Sequence, residues 1–541
     1  MRKTRIVLAM LAALCLALPA AAQAAGIKQG GKAVVSYKDD VVTLDPAIGY
    51  DWQNWSIIKS LNARLMTYEA GTAKLVKDLA ADFTISPDGK TYVFKIRKGV
   101  KFHNGREVKA ADVVYSLNRV VHPKTQSPAQ GFYKSIVGFD EMVAGKAETL
   151  AGLSAPDDAT VKIVLTAPDA TMLHVLALNF SSVVPKEAVD KWGDDFGHHP
   201  VGAGPFELTE WSLGQRLVMK RFTNYFVPGA PYLDEIEIQI GLEPTVALLK
   251  LQQGGVDILG DSIPPARFVD IMKDPEWSKQ VESGSDLQTG YITMNVKMKP
   301  FDDVRVRKAV NMAIDKERIV KMINNRAKPA NQPLPPTMPG YDKAYKGYPF
   351  DPAKAKALLA EAGFPQGFET ELYCMNVDPN PRIAQSIQRD LAAIGIKANI
   401  KSLSQATVIA AGGESDQAPM IWSGGMAWIA DFPDPSNFYG PILGCGGAVK
   451  GGWNWAWYCN DKIEEMARKA DAMSDPAKTA EREALWRDIF IKIMDDAPWC
   501  PVFNEARFNM HSTRVAGDAK SFIDPVHIPF NYGKIYAKDA Q

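Results

Sequence analysis

Residues 291–323 read YITMNVKMKPFDDVRVRKAVNMAIDKERIVKMI, a β-prone run, a polar turn and then a stretch with apolar residues at helical spacing. Tyr, Ile, Thr and Val suit a pleated surface. Asp302 and Asp303 stand where a helix start takes a side-chain acceptor, and the spacing predicts one long amphipathic helix reaching about Ile323. A strand that feeds a helix is the unit of an α/β fold.

The pattern repeats on both sides. Downstream, a Pro-rich linker, AKPANQPLPPTMPG (327–340), precedes two helices, DPAKAKALLAEAG (351–363) and PRIAQSIQRDLAAIGI (381–396), the second stopped by Gly395 before the strand KANIKSL. Upstream, GGKAVVSY (30–37) reads as a first strand, and a polar and aromatic turn around Tyr50 feeds a helix from about Trp52 to Leu65. DFTIS and TYVFKIR, joined by SPDGK (86–90), form a hairpin, and KAADVVYSLNRVV (109–121) is a helix with Asp112 in its first turn. RLVMKRF and IEIQI are strands, and TVALLKLQQGGVDILG (245–260) is a helix followed by a buried strand. Strands alternate with helices through both halves, so the fold class is α/β.

The chain has 541 residues, 46% of them hydrophobic, and Lys plus Arg equal Asp plus Glu at 62 each. That length suggests roughly three domains. The balanced charge argues against nucleic acid or an anionic membrane as partner. At the N-terminus, Arg2, Lys3 and Arg5 precede an apolar run from Ile6 to Leu18 and a small-residue site at Ala22-Gln23-Ala24. This is the pattern of a secretory signal peptide over 1–24, too short to span a membrane, and it places the mature chain in the periplasm. Leu14 before Cys15 argues against lipidation. Of the remaining cysteines, Cys445 and Cys459 flank a short Gly/Trp loop and are the expected disulfide, and Cys374 and Cys500 are left over.

Catalytic signatures are thin. GIKQGGK (26–32) has the spacing of a phosphate loop, but Ala33 stands where Ser or Thr would hold magnesium. There is no GxSxG, HExxH or CxxC, and His198-His199 reads as a surface loop rather than a metal site. No catalytic residue, cofactor or metal is expected.

Several stretches together resemble the extracytoplasmic solute-binding proteins of peptide-type ABC importers: SPDGKTYVFKIRKGVKFHNGREVKAADVVYSLNRV (86–120), PVGAGPFELTEW (200–211), PYLDEIEI (231–238), KPFDDVRVRKAVNMAIDKERIV (299–320), YPFDPAKAKALLAEAGF (348–364) and AWIADFPDPSNFY (427–439). The resemblance implies a two-lobed periplasmic-binding-protein fold of type II with a small α/β domain inserted in the first lobe. It places the first lobe at 25–69, 200–285 and 510–541, the inserted domain at 70–199 and the second lobe at 286–509. It also implies a monomer that captures a small-molecule or peptide ligand by hinge closure and delivers it to the transmembrane subunits of an ABC permease.

By the same resemblance, Asp431 pairs with a ligand α-ammonium. Trp428 beside it, Tyr50, Asp51 and Trp52 from the opposite lobe, and Trp455, which with Trp457 forms one face of an extended segment, complete the expected pocket. Asp434, followed by Pro435, reads as a turn or cap. In one place the family pattern is departed from: the loop that carries a carboxylate-gripping arginine in dipeptide binders is here the short NVDPNP (376–381), and the first arginine, Arg382, lies in the helix start. Longer peptides, amides and other amine-bearing solutes therefore stay open, with opines, oligosaccharides and nickel or haem chelates as alternatives in the same transport role. An exported hydrolase would need a nucleophile and a base. A chaperone-like binder would use the cleft for unfolded chains without a permease.

Overall fold

The structure is a computed structural model that describes residues 27, 29–424, 426, 428–518, 520–526 and 529–540, except for the side chain of Trp52. The expected signal peptide lies outside the described residues. The first lobe carries a five-stranded sheet in the order Ile258–Leu259, Lys32–Ser36, Glu235–Gln239, Arg216–Arg221, Phe206–Ser212. Lys32–Ser36 runs parallel to both its neighbours, and the remaining pairs are antiparallel. Alternate residues Val35, Leu217, Met219, Ile236 and Ile238 enter one core.

The inserted domain is a four-stranded antiparallel sheet, Ala80–Ile85, Thr91–Ile96, Thr160–Val164, Leu153–Asp157. Its first two strands are the expected hairpin. Asp88 accepts from Ser86 and from the Lys90 amide, and Gly89 takes φ +69°, a conformation that a side chain would strain. Helix Ala110–Val121 begins as expected, with the Asp112 carboxylate taking the Lys109 amide at 2.8 Å.

The second lobe carries a larger sheet in the order Val281–Ser285, Trp499–Met510, Gly290–Met294, Met420–Trp422, Phe368–Met375, Ile396–Leu403, with Ala327–Pro329 also paired to Trp499–Met510. Helices Val304–Ala313, Pro352–Glu361 and Asn380–Ala393 lay Val306, Val310, Leu359, Ile383, Ile387 and Leu391 into its core. Two expectations are corrected. The first helix ends at Leu61 rather than Leu65. The long helix of 302–323 is two, Val304–Ala313 and Lys316–Met322. The amide of Asp315 turns to the buried carboxylate of Asp390 at 3.0 Å, while its own side chain caps the next helix through the Arg318 amide at 2.9 Å. Amphipathic spacing carries no sign of a cap that a distant carboxylate stabilises.

Two segments cross between the lobes side by side. Val281–Ser285 pairs with 506–510 of the long strand, and His511 forms a bridge with Ile258 of the first lobe. These crossings are the hinge of a two-lobed fold. The inserted domain also packs on the second lobe: Phe132 meets Phe432 edge-on at 6.0 Å, and the Ala170 amide donates to the Asp471 carbonyl at 2.8 Å.

Cys445 and Cys459 form the expected disulfide across 14 residues, and Cys374 and Cys500 are separate buried thiols. In the chain-entropy account a loop of this length stabilises by about 3 kcal/mol. The Cys445→Ala/Cys459→Ala double variant is therefore expected to unfold at lower urea, with a slope no smaller than the parent's because the unbridged unfolded chain is less compact, and an unchanged midpoint would show that the loop holds without its bridge.

Candidate functional site

Asp431 sits where the second lobe meets the first. The segment before it is fixed to the chain just beyond the crossing strand Val281–Ser285: Ile429 bridges Gln288, and the Ala430 amide donates to the Leu287 carbonyl at 2.9 Å. The carboxylate is buried, 3% exposed. One oxygen accepts from the Tyr50 hydroxyl of the first lobe, the other from Asn437 Nδ2 at 3.1 Å. Asn437 Oδ1 in turn accepts from the Asp431 amide and from Trp428 Nε1, both at 3.0 Å. Among the described residues, no cationic side chain pairs with Asp431. Burial raises its pKa above the ordinary carboxylate value, and the Tyr50 and Asn437 hydrogen bonds offset only part of that. Its ionised form is therefore short of stabilisation, the condition under which a cation is attracted.

Tyr50 is held in place from below. The turn 45–49 closes on Asp45, whose carboxylate is clamped by both Arg119 Nη atoms, at 2.8 and 2.5 Å, and Gly49 lies so close to Ile58 that a Cβ would meet its Cδ1 at 2.6 Å. The Tyr50 ring stacks on Trp55 at 5.8 Å and meets Phe180 edge-on at 5.3 Å, and its phenol reaches Asp431 while the residue stays 45% exposed. Burial first, then the Asp431 charge, raises the Tyr50 pKa and keeps it a donor.

The other expected residues fall differently. The Asp51 carboxylate caps its helix through the Asn54 amide at 3.0 Å, and the Trp52 side chain lies outside the described residues. Trp428 is half-buried beside the site, with Trp453 edge-on at 6.2 Å. Trp455 is 2% exposed and packs with Val408, Ala411 and Ile421 in the second-lobe core, and Trp453, stacked on it at 5.6 Å, stands between it and Trp428. The extended face expected for Trp455 and Trp457 is a turn instead, closed by the Trp457 amide on the Asn454 carbonyl at 2.8 Å. Arg382 pairs with Asp378 at 2.6 Å on the surface, and His198 and His199 both lean on Asp195.

Asp434 is the cap that its place before Pro435 suggests, accepting from the Ser436 amide at 3.0 Å. It also makes a buried pair with Arg482 that local sequence does not signal: Nη1 at 2.5 Å and Nη2 at 2.9 Å. Burial pushes its carboxyl up, but the guanidinium charge and hydrogen bonds outweigh this and hold it at about 2.

Nearby, His174 of the inserted domain stacks on Phe432 at 5.8 Å and shares a hydrogen bond with the Tyr68 hydroxyl at 3.0 Å. Burial holds it at about 4; Asp434 and Asp169 pull upward, and Arg482 opposes them. An unfolded histidine titrates near 6.5. Stability from a neutral His174 is thus present above about pH 6.5 and lost as pH falls towards 4. The urea midpoint should drop over that window, and His174→Gln should flatten the drop. An equal drop in both proteins would remove His174 as its source.

Between the lobes lies a cavity of about 470 Å³, bounded by Asp261 and Ser262 of the first lobe, Asp286 and Glu505 of the crossing strands, and Arg326 and Ile429 of the second lobe. Its volume suits a small ligand, and Ile429 sets it two residues from Asp431.

The family model of bacterial extracellular solute-binding proteins, family 5, matches residues 74–450. The dipeptide-binding protein of Escherichia coli is 33% identical, over 80% of this chain and 82% of its own. The glutathione-binding protein GsiB of Escherichia coli is 31% identical, over 90% of this chain and 91% of its own. Among solved structures, the periplasmic binding protein DppA of Helicobacter pylori, in complex with the peptide STSA, superposes with a TM-score of 0.74 at 27% identity, over 94% of this chain and 98% of its own.

Proposed function

The chain belongs to the bacterial extracellular solute-binding proteins of family 5, and from that membership we propose that it is the periplasmic binding component of an ABC importer, capturing peptides or a related amine-bearing solute. The observation that carries the amine is the Asp431 carboxylate, buried at the lobe interface with a phenol and an amide as its side-chain donors. In an open cleft that carboxylate is hydrated. On closure a ligand ammonium takes the place of the Tyr50 hydroxyl and forms a charge-assisted bond in a water-poor site. Asp51 shapes the turn that carries Tyr50, and Trp428 and Trp453 offer ring faces to the ligand body, each worth about 0.5–2 kcal/mol against a cation.

A ligand closes the lobes only by preferring the closed state, which requires contacts from both of them. Tyr50 and Asp431 lie on opposite sides, and the paired antiparallel crossings at 281–285 and 506–510 give the motion a place to bend. The permease then reads the closed shape. The relatives named for dipeptides and for glutathione, and the neighbour solved with a peptide, support an amine-bearing, peptide-like cargo.

Thermal unfolding of the ligand-stripped mature chain tests this, because a ligand that binds only the native state raises the melting point. Di- to pentapeptides should raise it and their N-acetylated forms should not. Silence from every peptide together with a shift from sugars or metal chelates would keep the transport role and overturn the cargo.

A further inference from the structure

The interlobe cavity is two-sided. Its charged groups gather by the crossing strands, where Arg507 holds Asp286 at 3.3 Å and Glu505 lies close to Asp286, Arg326 and Arg507. The wall that the second lobe presents is apolar: Ile323, Met375, Val377, Ile383 and Ile429. Met375 and Ile383 are buried by the fold, whereas Val377 is 56% exposed and Ile429 40%. An apolar side chain left open inside a cleft forgoes the burial that would stabilise it.

Neither residue is open because its backbone is loose. The Asn376 amide donates to the Leu403 carbonyl at 2.8 Å, and the Val377 carbonyl accepts from both the amide and Nδ2 of Asn380, each at 3.0 Å. Asn380 is itself buried, its Oδ1 accepting from Trp422 Nε1 at 3.0 Å. Ile429 is fixed by its bridge to Gln288. Two pinned segments thus hold two apolar side chains against the cavity. Ile429 stands two residues before Asp431, at most about 7 Å of chain. An extended peptide advances about 3.4 Å per residue, so a ligand whose ammonium sits on Asp431 brings its second or third side chain to the level of this wall.

We propose that Val377 and Ile429 wall a subsite for an apolar side chain at the second or third position of the ligand, so that the cargo is an amine-bearing peptide with an aliphatic or aromatic residue there rather than a polar or charged one. The proposal rests on the reading of the interlobe cleft as the ligand site. It also gives a use to the short loop 376–381, where this chain departs from the family pattern: the loop sets Val377 on the cavity, while its Asp378 pairs with Arg382 at 2.6 Å on the surface.

Titration calorimetry of the stripped mature protein with Ala-Leu-Ala, Ala-Ala-Leu and the two peptides in which asparagine replaces leucine measures the subsite, since the two side chains are alike in shape and opposite in polarity. N-acetylated forms of the same peptides report the ammonium separately. At one of the two positions, wild type should bind the leucine peptide about 10- to 100-fold more tightly than its asparagine counterpart, the range for covering a leucine side chain. In Val377→Thr/Ile429→Thr that ratio should fall to about threefold or less with the acetylation penalty intact. Val377→Thr alone, at a site more than half exposed, should fold as the parent does and lower the ratio part of the way. A leucine preference that survives in the folded variants, or that wild type never shows while it binds the peptides, overturns the subsite and leaves the amine reading standing. A preference that depends on Val377 and Ile429 but comes without an acetylation penalty supports the subsite and overturns the amine reading. Where no tripeptide binds, 3-methylbutan-1-ol is the probe, followed by saturation-transfer NMR. Binding by wild type that the double variant loses supports the subsite, and equal behaviour of the two proteins, including equal silence, overturns it.

Discussion

Asp431→Asn is expected to fold with an unchanged melting point and to lose amine-bearing ligands by roughly 10²- to 10⁴-fold. The fold should survive because an asparagine meets the same neighbours: its oxygen can accept from Asn437 Nδ2, and its NH₂ can donate to the Tyr50 oxygen, which rotates to accept. What disappears is the charge. Removing one partner of a desolvated ion pair costs about 3–5 kcal/mol, because the other is left buried and unmatched. An N-acetylated ligand has no ammonium to strand, so its already weak binding should hardly change. That non-additivity separates a direct partner from a residue that merely shapes the pocket. Calorimetric titration of both proteins with both ligands measures it, and equal loss for the two ligands would make Asp431 structural.

Arg482→Met is expected to cost about 3–5 kcal/mol of stability, since it leaves Asp434 buried, with its side chain 2% exposed, and without a cation. The double variant Arg482→Met/Asp434→Asn should recover much of that loss, because a neutral pair is cheaper to bury than one stranded charge. The pH dependence carries the same signature. With the native carboxyl held at about 2 and an ordinary value of 3.8, the pair contributes fully above about pH 4 and is lost as pH falls towards 2. Urea unfolding at neutral pH and across that acid window tests both statements, and a single variant no less stable than the double would show that the pair holds nothing together.

Features decided locally were open to reading from sequence. SPDGK states its own turn, Gly395 stops its own helix, and the loop between Cys445 and Cys459 is short enough to name its bridge. Asn437 lay in plain view three residues beyond Asp434, yet its role appears only when a short helix folds it back over Asp431. Features decided by distant partners were not legible. Asp390 breaks a helix whose amphipathic spacing runs on without pause. Arg482 finds Asp434 across 48 residues. The hinge strand Trp499–Met510 contains Pro501, a residue that argues against a central strand. It is accommodated where the pairing with Gly290–Met294 shifts register between Gly290 and Tyr291. Trp455 shows the same limit from the other side: its composition-rich neighbourhood suggests a ligand wall, whereas packing takes the ring into the core.

The central claim is that an ammonium replaces the Tyr50 hydroxyl on Asp431 when the lobes close on a ligand. A crystal structure of the mature chain with a tightly binding tripeptide tests it most directly. The account predicts the peptide nitrogen at about 3 Å from the Asp431 carboxylate, the Tyr50 hydroxyl displaced from it, and the peptide body lying in the cavity between the lobes. A bound peptide with Asp431 still paired to Tyr50, and its amine held elsewhere, would contradict it.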